Sequence, residues 1–374
     1  MINYFRQRSG YIYRKTTFGM TSLTIVYPTG SAYEKIGSRG IAHLMEHLIT
    51  KPLDKYNTFF TRNCIESNAW TSRNYVAVYF KGLEEKLTND LKQELVNAVV
   101  HGFSEVTEEM FNIEKNIVIE ELTDVFNDPF NGHLTNVLYS RFRIHDPTGF
   151  IRDIQQFTYE DAKKLAEKVY TKPLRIIEVA RKRTPLPGIE YVEDIPHYKE
   201  IEYKILDREI LPVPKTEKAH VFLLSKKPVL KPDYLHAVLG MEMLTDGLES
   251  PFMQEIREKR GLTYDVSADI DYATHFSVMW VGMVTDKKNV KTLTKLLEDM
   301  SLNITRYLTK DRFDALIDQY KTYSTIKKLF KYSKTDNLIE MEIPHMTDRV
   351  SDMSYDRVVA TMQKYFSDIE IVVR

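Results

Sequence analysis

The chain has 374 residues, more than one hydrophobic core usually serves, so two domains are expected. It is 43% apolar and 28% charged, the make-up of an ordinary globular protein rather than a disordered or fibrous one. A net charge of −1 gives no global attraction to nucleic acid or to a membrane surface, and neither is expected as a partner.

In chain order, Met1–Arg6 lacks the apolar core of a secretory signal, which predicts a cytoplasmic protein. Residues 11–27 end in the alternation Leu23, Ile25, Tyr27 and break at Pro28-Thr29-Gly30, so they read as a strand and turn. A helix should begin near Gly40. It carries His43-Leu44-Met45-Glu46-His47, which is H-x-x-E-H, the inverse of the common zinc-protease pattern H-E-x-x-H. Residues four apart share a helix face, so His43 and His47 can direct two imidazoles at one metal ion. Glu46 stands close enough to take a proton from a water on that metal. Two ordinary histidines on an amphipathic helix are the bland alternative. Cys64 is the only cysteine; it excludes an intrachain disulfide and a thiolate-rich zinc site and reads as a small packing residue.

Val76, Val78 and Phe80 alternate with Tyr75, Ala77 and Tyr79, predicting a second strand that stops at Gly82. Helices are expected over roughly 84–101 and 107–127, with Thr107 as N-cap of the second. That helix offers Glu114, Glu120 and Glu121. Glu114 and Glu121 are seven apart and share a face with Ile117 and Val118, whereas Glu120 points roughly 100° away. Ile117 and Val118 make that face inward, so its carboxylates need partners: a metal for Glu121, a hydrogen bond to a ligand histidine for Glu114. A solvated acidic helix face is the alternative. A helix at about 158–170 and a strand from Leu174 to Val179 complete the first half.

Five prolines among many charges mark 184–215 as a linker, dividing the chain into domains 1–183 and 216–374. The order of elements then returns. His220 to Leu224 reads as a strand, helices lie near 232–244 and 250–260, and a strand pair spans 262–285 with Phe276, Val278 and Trp280 in alternation. Helices near 287–306 and 310–328 follow. The predicted class is α+β: two similar α/β-sandwich domains, each an antiparallel-rich sheet packed with helices, of which only the first carries the histidines.

Taken together, these motifs resemble the pitrilysin-type inverzincin metallopeptidases, which include insulin-degrading enzyme and mitochondrial processing peptidase. In that family H-x-x-E-H is followed about 74 to 76 residues later by a glutamate; Glu121 lies 74 residues after His47. The resemblance implies one Zn²⁺ per chain held by His43, His47 and Glu121, with Glu46 as base and Glu114 as assisting carboxylate. Asn68-Ala69-Trp70-Thr71 looks like the family's substrate-holding edge strand, which can pair with an extended peptide. Phe252–Tyr264 looks like its second-domain motif, implying that Arg257 and Tyr264 contact substrate near the scissile bond. The implied activity is a zinc-dependent endopeptidase acting on extended or unfolded peptides in a chamber of four such domains. This chain supplies two, which implies a homodimer or a related partner chain. The rival reading is a non-catalytic member acting as a scaffold or peptide-binding subunit.

Overall fold

The computed structural model describes residues 10–192 except 18, together with 203, 205, 211–273, 276–329 and 349–374. Most of the expected linker, the extreme N-terminus and residues 274–275 of the second strand pair lie outside this set. Packing divides the chain into two units. Among the described residues the first comprises 10–124 and 145–192, the second 125–144, 211–329 and 349–374. The units are therefore not contiguous in sequence, in contrast to the expected division at 183 and 216. Among the described residues no helix is long and apolar enough to cross a membrane.

In the first unit, β1 (Gly10–Lys15) and β2 (Met20–Tyr27) replace the single strand read from the sequence. Then come α1 (Ile41–Thr50), α2 (Asn57–Asn63), β3 (Glu66–Thr71), β4 (Val76–Leu83), α3 (Asn89–His101) and α4 (Glu108–Asn127). After α5 (Pro129–Phe142), which belongs mainly to the other unit, the chain returns with α6 (Ile151–Gln156), α7 (Tyr159–Leu165) and β5 (Arg175–Ala180). The sheet order is β1-β5-β2-β4-β3, antiparallel except for β1 beside β5. β2 is central and buried on both faces from Thr21 to Tyr27, which accounts for its nearly continuous apolar and hydroxyl sequence. β3 is an edge. A buried ion pair is built on β5: Lys92 Nζ donates to Glu178 Oε1 at 2.9 Å, and Thr184 and Tyr11 hydroxyls donate to the same carboxylate. Both side chains are fully buried, so the pairing is what makes their burial tolerable.

The second unit contains β6 (Lys218–Ser225), β7 (Val229–Leu230), α8 (Tyr234–Thr245), β8 (Val266–Ala273), β9 (Phe276–Asp286), α9 (Val290–Leu302) and α10 (Lys310–Leu329). It closes with α11 (Tyr355–Phe366) and β10 (Ile369–Val373), neither of which is read from the sequence. The order β10-β6-β9 with β8 on β9 repeats the β5-β2-β4-β3 order of the first unit, all antiparallel. The duplication is thus a property of topology. α5 packs on this second sheet. The Phe130 ring lies 5.2 Å from that of Phe222, and a Cβ on Gly282 would come within 2.7 Å of Phe130 Cζ, so glycine there admits the helix.

Candidate metal centre

α1 begins after Gly40, whose φ of +91° lies in the left-handed region that favours glycine. Its buried stripe, Ile41, Leu44, Met45, Leu48 and Ile49, fixes the rotation of the helix and leaves His43 and His47 together on another face. Their rings meet edge to face, with centroids 4.9 Å apart. α4 supplies the opposing carboxylates. Thr107 caps it, its hydroxyl accepting from Met110 N at 3.2 Å. Phe111, Val118, Leu122 and Phe126 bury one side of it, setting the rotation at which Glu114 and Glu121 face α1. Ile117, expected inside, is instead 38% exposed, so the carboxylate face borders the buried stripe rather than coinciding with it.

Glu121 Oε2 stands 3.5 Å from His43 Nε2 and 3.7 Å from His47 Nε2. One donor atom from each of the three residues lies within 4.8 Å of the other two. Ligands at about 2.1 Å around a tetrahedral zinc are separated by about 3.4 Å, so the two closest separations are already near that edge length. Glu120 is exposed and lies outside this group.

The surroundings set the protonation and orientation of the two rings. Burial, and then the neighbouring His47, lower the His43 pKa to about 4 against smaller opposing effects of Asp146 and the Thr148 backbone. His43 is therefore neutral, with a lone pair to give. His47 Nδ1 is hydrogen-bonded to Glu114 Oε2 at 3.1 Å, which turns Nε2 toward Glu121. Burial disfavours the charged form of His47, but Glu114, Glu121 and Glu46 outweigh it and raise its pKa. Glu114 is held below the ordinary carboxylate range, first by its bond to His47 and, against burial, by Lys51. Two neutral-capable imidazole nitrogens and a carboxylate oxygen form a donor set that suits Zn²⁺, and the residues present fit that ion.

Glu46 is buried, and burial raises its pKa. Its Oε2 accepts the Thr71 hydroxyl at 2.7 Å, which ties the side chain to the end of β3. Thr71, expected to touch substrate, thus has a side-chain partner inside the site. Asn68 Oδ1 accepts from Ala69 N at 2.9 Å, and the Trp70 ring meets Tyr75 and Tyr79 edge to face at 6.2 and 5.7 Å. Trp70 is partly buried against Tyr75 and Ala77, so it packs as well as lining the edge.

Lys51, not singled out from the sequence, donates to Glu114 Oε1 at 2.9 Å and to Asp54 Oδ2 at 2.8 Å. Its sequence signal is its spacing, four residues after His47 and so one turn on along the same face.

Arg257 and Tyr264 belong to the second unit. A π-helical segment, Met253–Glu258, and a left-handed Gly261 (φ +58°) turn the chain back, setting the Arg257 guanidinium 4.9 Å from the Tyr264 ring centroid. Arg257 Nε also lies 3.3 Å from Glu258 Oε1, and Tyr264 is 83% exposed.

Residues 13–149 match the family model described as insulinase (peptidase family M16), and residues 156–320 match that described as the peptidase M16 inactive domain. The zinc protease PqqE of Helicobacter pylori is 25% identical over 399 residues, covering 94% of this chain and 86% of that protein. An uncharacterized zinc protease of Streptomyces coelicolor is 24% identical over 282 residues, covering 68% of this chain and 59% of that protein. In fold, a protease from Helicobacter pylori superposes with a TM-score of 0.75 at 19% identity, over 97% of this chain and 96% of that one. A peptidase M16 inactive domain from Pseudomonas fluorescens gives 0.73 at 16% identity, over 97% and 94%. The chain belongs to the insulinase family, peptidase family M16.

Proposed function

We propose that the chain is a zinc-dependent endopeptidase of extended or unfolded peptides. The observation that carries this reading is the convergence of His43 Nε2, His47 Nε2 and Glu121 Oε2 beside the buried carboxylate of Glu46. These three atoms would hold Zn²⁺, which supplies a Lewis acid for the peptide carbonyl and lowers the pKa of the attacking water. Glu46 Oε2 is occupied by the Thr71 hydroxyl, leaving Oε1 to take the proton from that water. Its raised pKa brings the carboxylate closer to the range in which it can take the proton and hand it on to the leaving amine. Glu114 and Lys51 keep the His47 ring oriented through the change of charge. Substrate would add as a strand to the edge of β3. Arg257 would anchor a substrate carbonyl or carboxylate, and the exposed Tyr264 hydroxyl would donate to the developing oxyanion. A second copy or a related chain would complete the chamber, and the cytoplasm remains the proposed location.

The rival, a scaffold or peptide-binding subunit, takes support from the "inactive domain" description of residues 156–320. That match does not include His43, His47 or Glu121. Metal analysis of the purified protein together with cleavage of a peptide library, read by mass spectrometry, tests the proposal. Stoichiometric zinc with cleavage abolished in Glu46→Gln supports it. Absence of zinc, or zinc without cleavage of any peptide, favours the rival.

A further inference from the structure

The segment before α1 is fastened from three directions, and one side chain joins them. Glu34 follows a short 3-10 turn, Ser31–Tyr33, and its carboxylate reaches forward to the start of the metal-motif helix. Oε2 accepts from Gly40 N and Oε1 from Ala42 N, both at 2.7 Å. A helix start leaves its first N–H groups without intrahelical partners, and Gly40 has no side chain with which to satisfy them. Glu34 therefore performs from six and eight residues upstream what an N-cap side chain normally does. Its negative charge also sits at the positive end of the helix dipole.

The same Oε2 meets His145 Nε2 at 2.8 Å, and both side chains are more than nine-tenths buried. His145 is in turn held through its carbonyl by the Arg73 guanidinium, from the β3–β4 turn. Behind this, Asp153 accepts from Gly37 N at 3.0 Å, Arg39 N at 3.1 Å and Arg39 Nε at 2.6 Å. The loop and helix start are pressed together: a Cβ on Gly149 would stand 2.1 Å from Gly40 Cα, and one on Gly40 2.6 Å from Thr148 O. His43 is the third residue of the helix so capped. The register and tilt of the first turn decide where its imidazole points.

We propose that Glu34, buttressed by His145, is a positioning residue for the metal centre: its carboxylate fixes the first turn of α1 so that His43 and His47 present Nε2 to Glu121 together. The proposal rests on the reading of His43, His47 and Glu121 as zinc ligands. An ordinary capping residue would contribute only to stability. A positioning residue must also alter the metal site itself.

The test uses the full-length protein, with zinc affinity measured by chelator competition and site geometry by the visible absorption of the cobalt(II)-substituted form. In Glu34→Gln one amide oxygen can still accept, but the NH₂ group faces a backbone donor. The first turn should lose its anchor, zinc affinity should fall about 10–100-fold, the scale of changes beside metal ligands, and the cobalt bands should shift. His145→Phe keeps an aromatic ring but removes the buttress, and should move both readouts in the same direction by less. Should Glu34→Gln fail to fold, this second variant carries the test. Thr158→Ala, which removes the hydroxyl cap of α7 at Asp161 N, is the stability control; it should lower Tm without changing either readout. Wild-type affinity and spectrum in folded Glu34→Gln, or in His145→Phe should Glu34→Gln not fold, would overturn the proposal. So would an equal loss of affinity in Thr158→Ala, because affinity would then follow global stability. If His43→Ala abolishes zinc binding while Glu34→Gln does not weaken it, only the positioning role falls. If the wild-type protein binds no zinc, the metal reading falls and takes this role with it.

Discussion

The pair Glu120 and Glu121 gives the sharpest test of the metal centre, because adjacent glutamates on one helix differ by about 100° in direction. Glu121 Oε2 lies 3.5 and 3.7 Å from the two histidine nitrogens, whereas Glu120 has no place in the group. Changing either to glutamine removes one negative charge from the same surface and scarcely alters size, so long-range electrostatics are nearly matched between the two variants. Only the loss of a ligand should separate them. Changes in groups that merely orient ligands cost about 10–100-fold in metal affinity. Removing one of three direct donors should therefore exceed 100-fold, or about 2.7 kcal/mol. Chelator competition followed by metal analysis should show Glu121→Gln largely emptied of zinc and Glu120→Gln within about twofold of wild type. Loss of zinc in Glu120→Gln with retention in Glu121→Gln would refute both the helix rotation and the ligand assignment.

Glu46→Gln should keep its zinc and lose about 10²- to 10⁴-fold in kcat, the range for one proton-transfer group; loss of the metal instead would make Glu46 a ligand. Tyr264→Phe should preserve zinc content and lower kcat about 10²-fold if its hydroxyl donates to the oxyanion, while Arg257→Ala should mainly raise KM. The buried Lys92–Glu178 pair predicts an acid-labile fold. Burial alone would raise the Glu178 pKa, but Thr184, Tyr11 and Lys92 overcome it and hold it below the usual range. A depressed carboxylate contributes stability above its unfolded pKa of about 4.3 and loses it as pH falls through the folded value, so Tm should drop steeply below about pH 4. Lys92→Met leaves the carboxylate buried without its cation and should cost about 3–5 kcal/mol near pH 7. Acidification should narrow that deficit, since a protonated Glu178 no longer needs the lysine; a deficit that stays constant with pH would count against the ion-pair account.

The sequence carries what is local and periodic. Alternation marks β4 and β9, and the spacing of His43, Glu46 and His47 puts three groups within about one turn of α1. The spacing of Glu114 and Glu121 puts them on one helix face for the same reason, but it does not reveal that Ile117 beside them is 38% exposed. α4 is buried along only part of its circumference, through Phe111, Val118, Leu122 and Phe126, and Ile117 lies outside that part.

α5 shows the opposite case. Gly132, Thr135 and every residue from Asn136 to Phe142 are buried, polar and apolar alike, so no amphipathic stripe exists to be read. Its polar groups are satisfied far away in the chain. Arg141 forms two 2.7 Å bonds with Glu370, 229 residues on, and Asn136 exchanges bonds with the Leu211 backbone. The supports of α1 are of this second kind. Glu34 reaches His145 across 111 residues and Asp153 reaches Arg39 across 114, so neither spacing repeats any period of a helix or strand. The histidine half of the candidate ligand set is legible because its geometry is written within about one turn of α1, whereas Glu121 comes from α4, 74 residues after His47. The framework that aims those ligands is written in contacts between distant segments, which only the fold brings together.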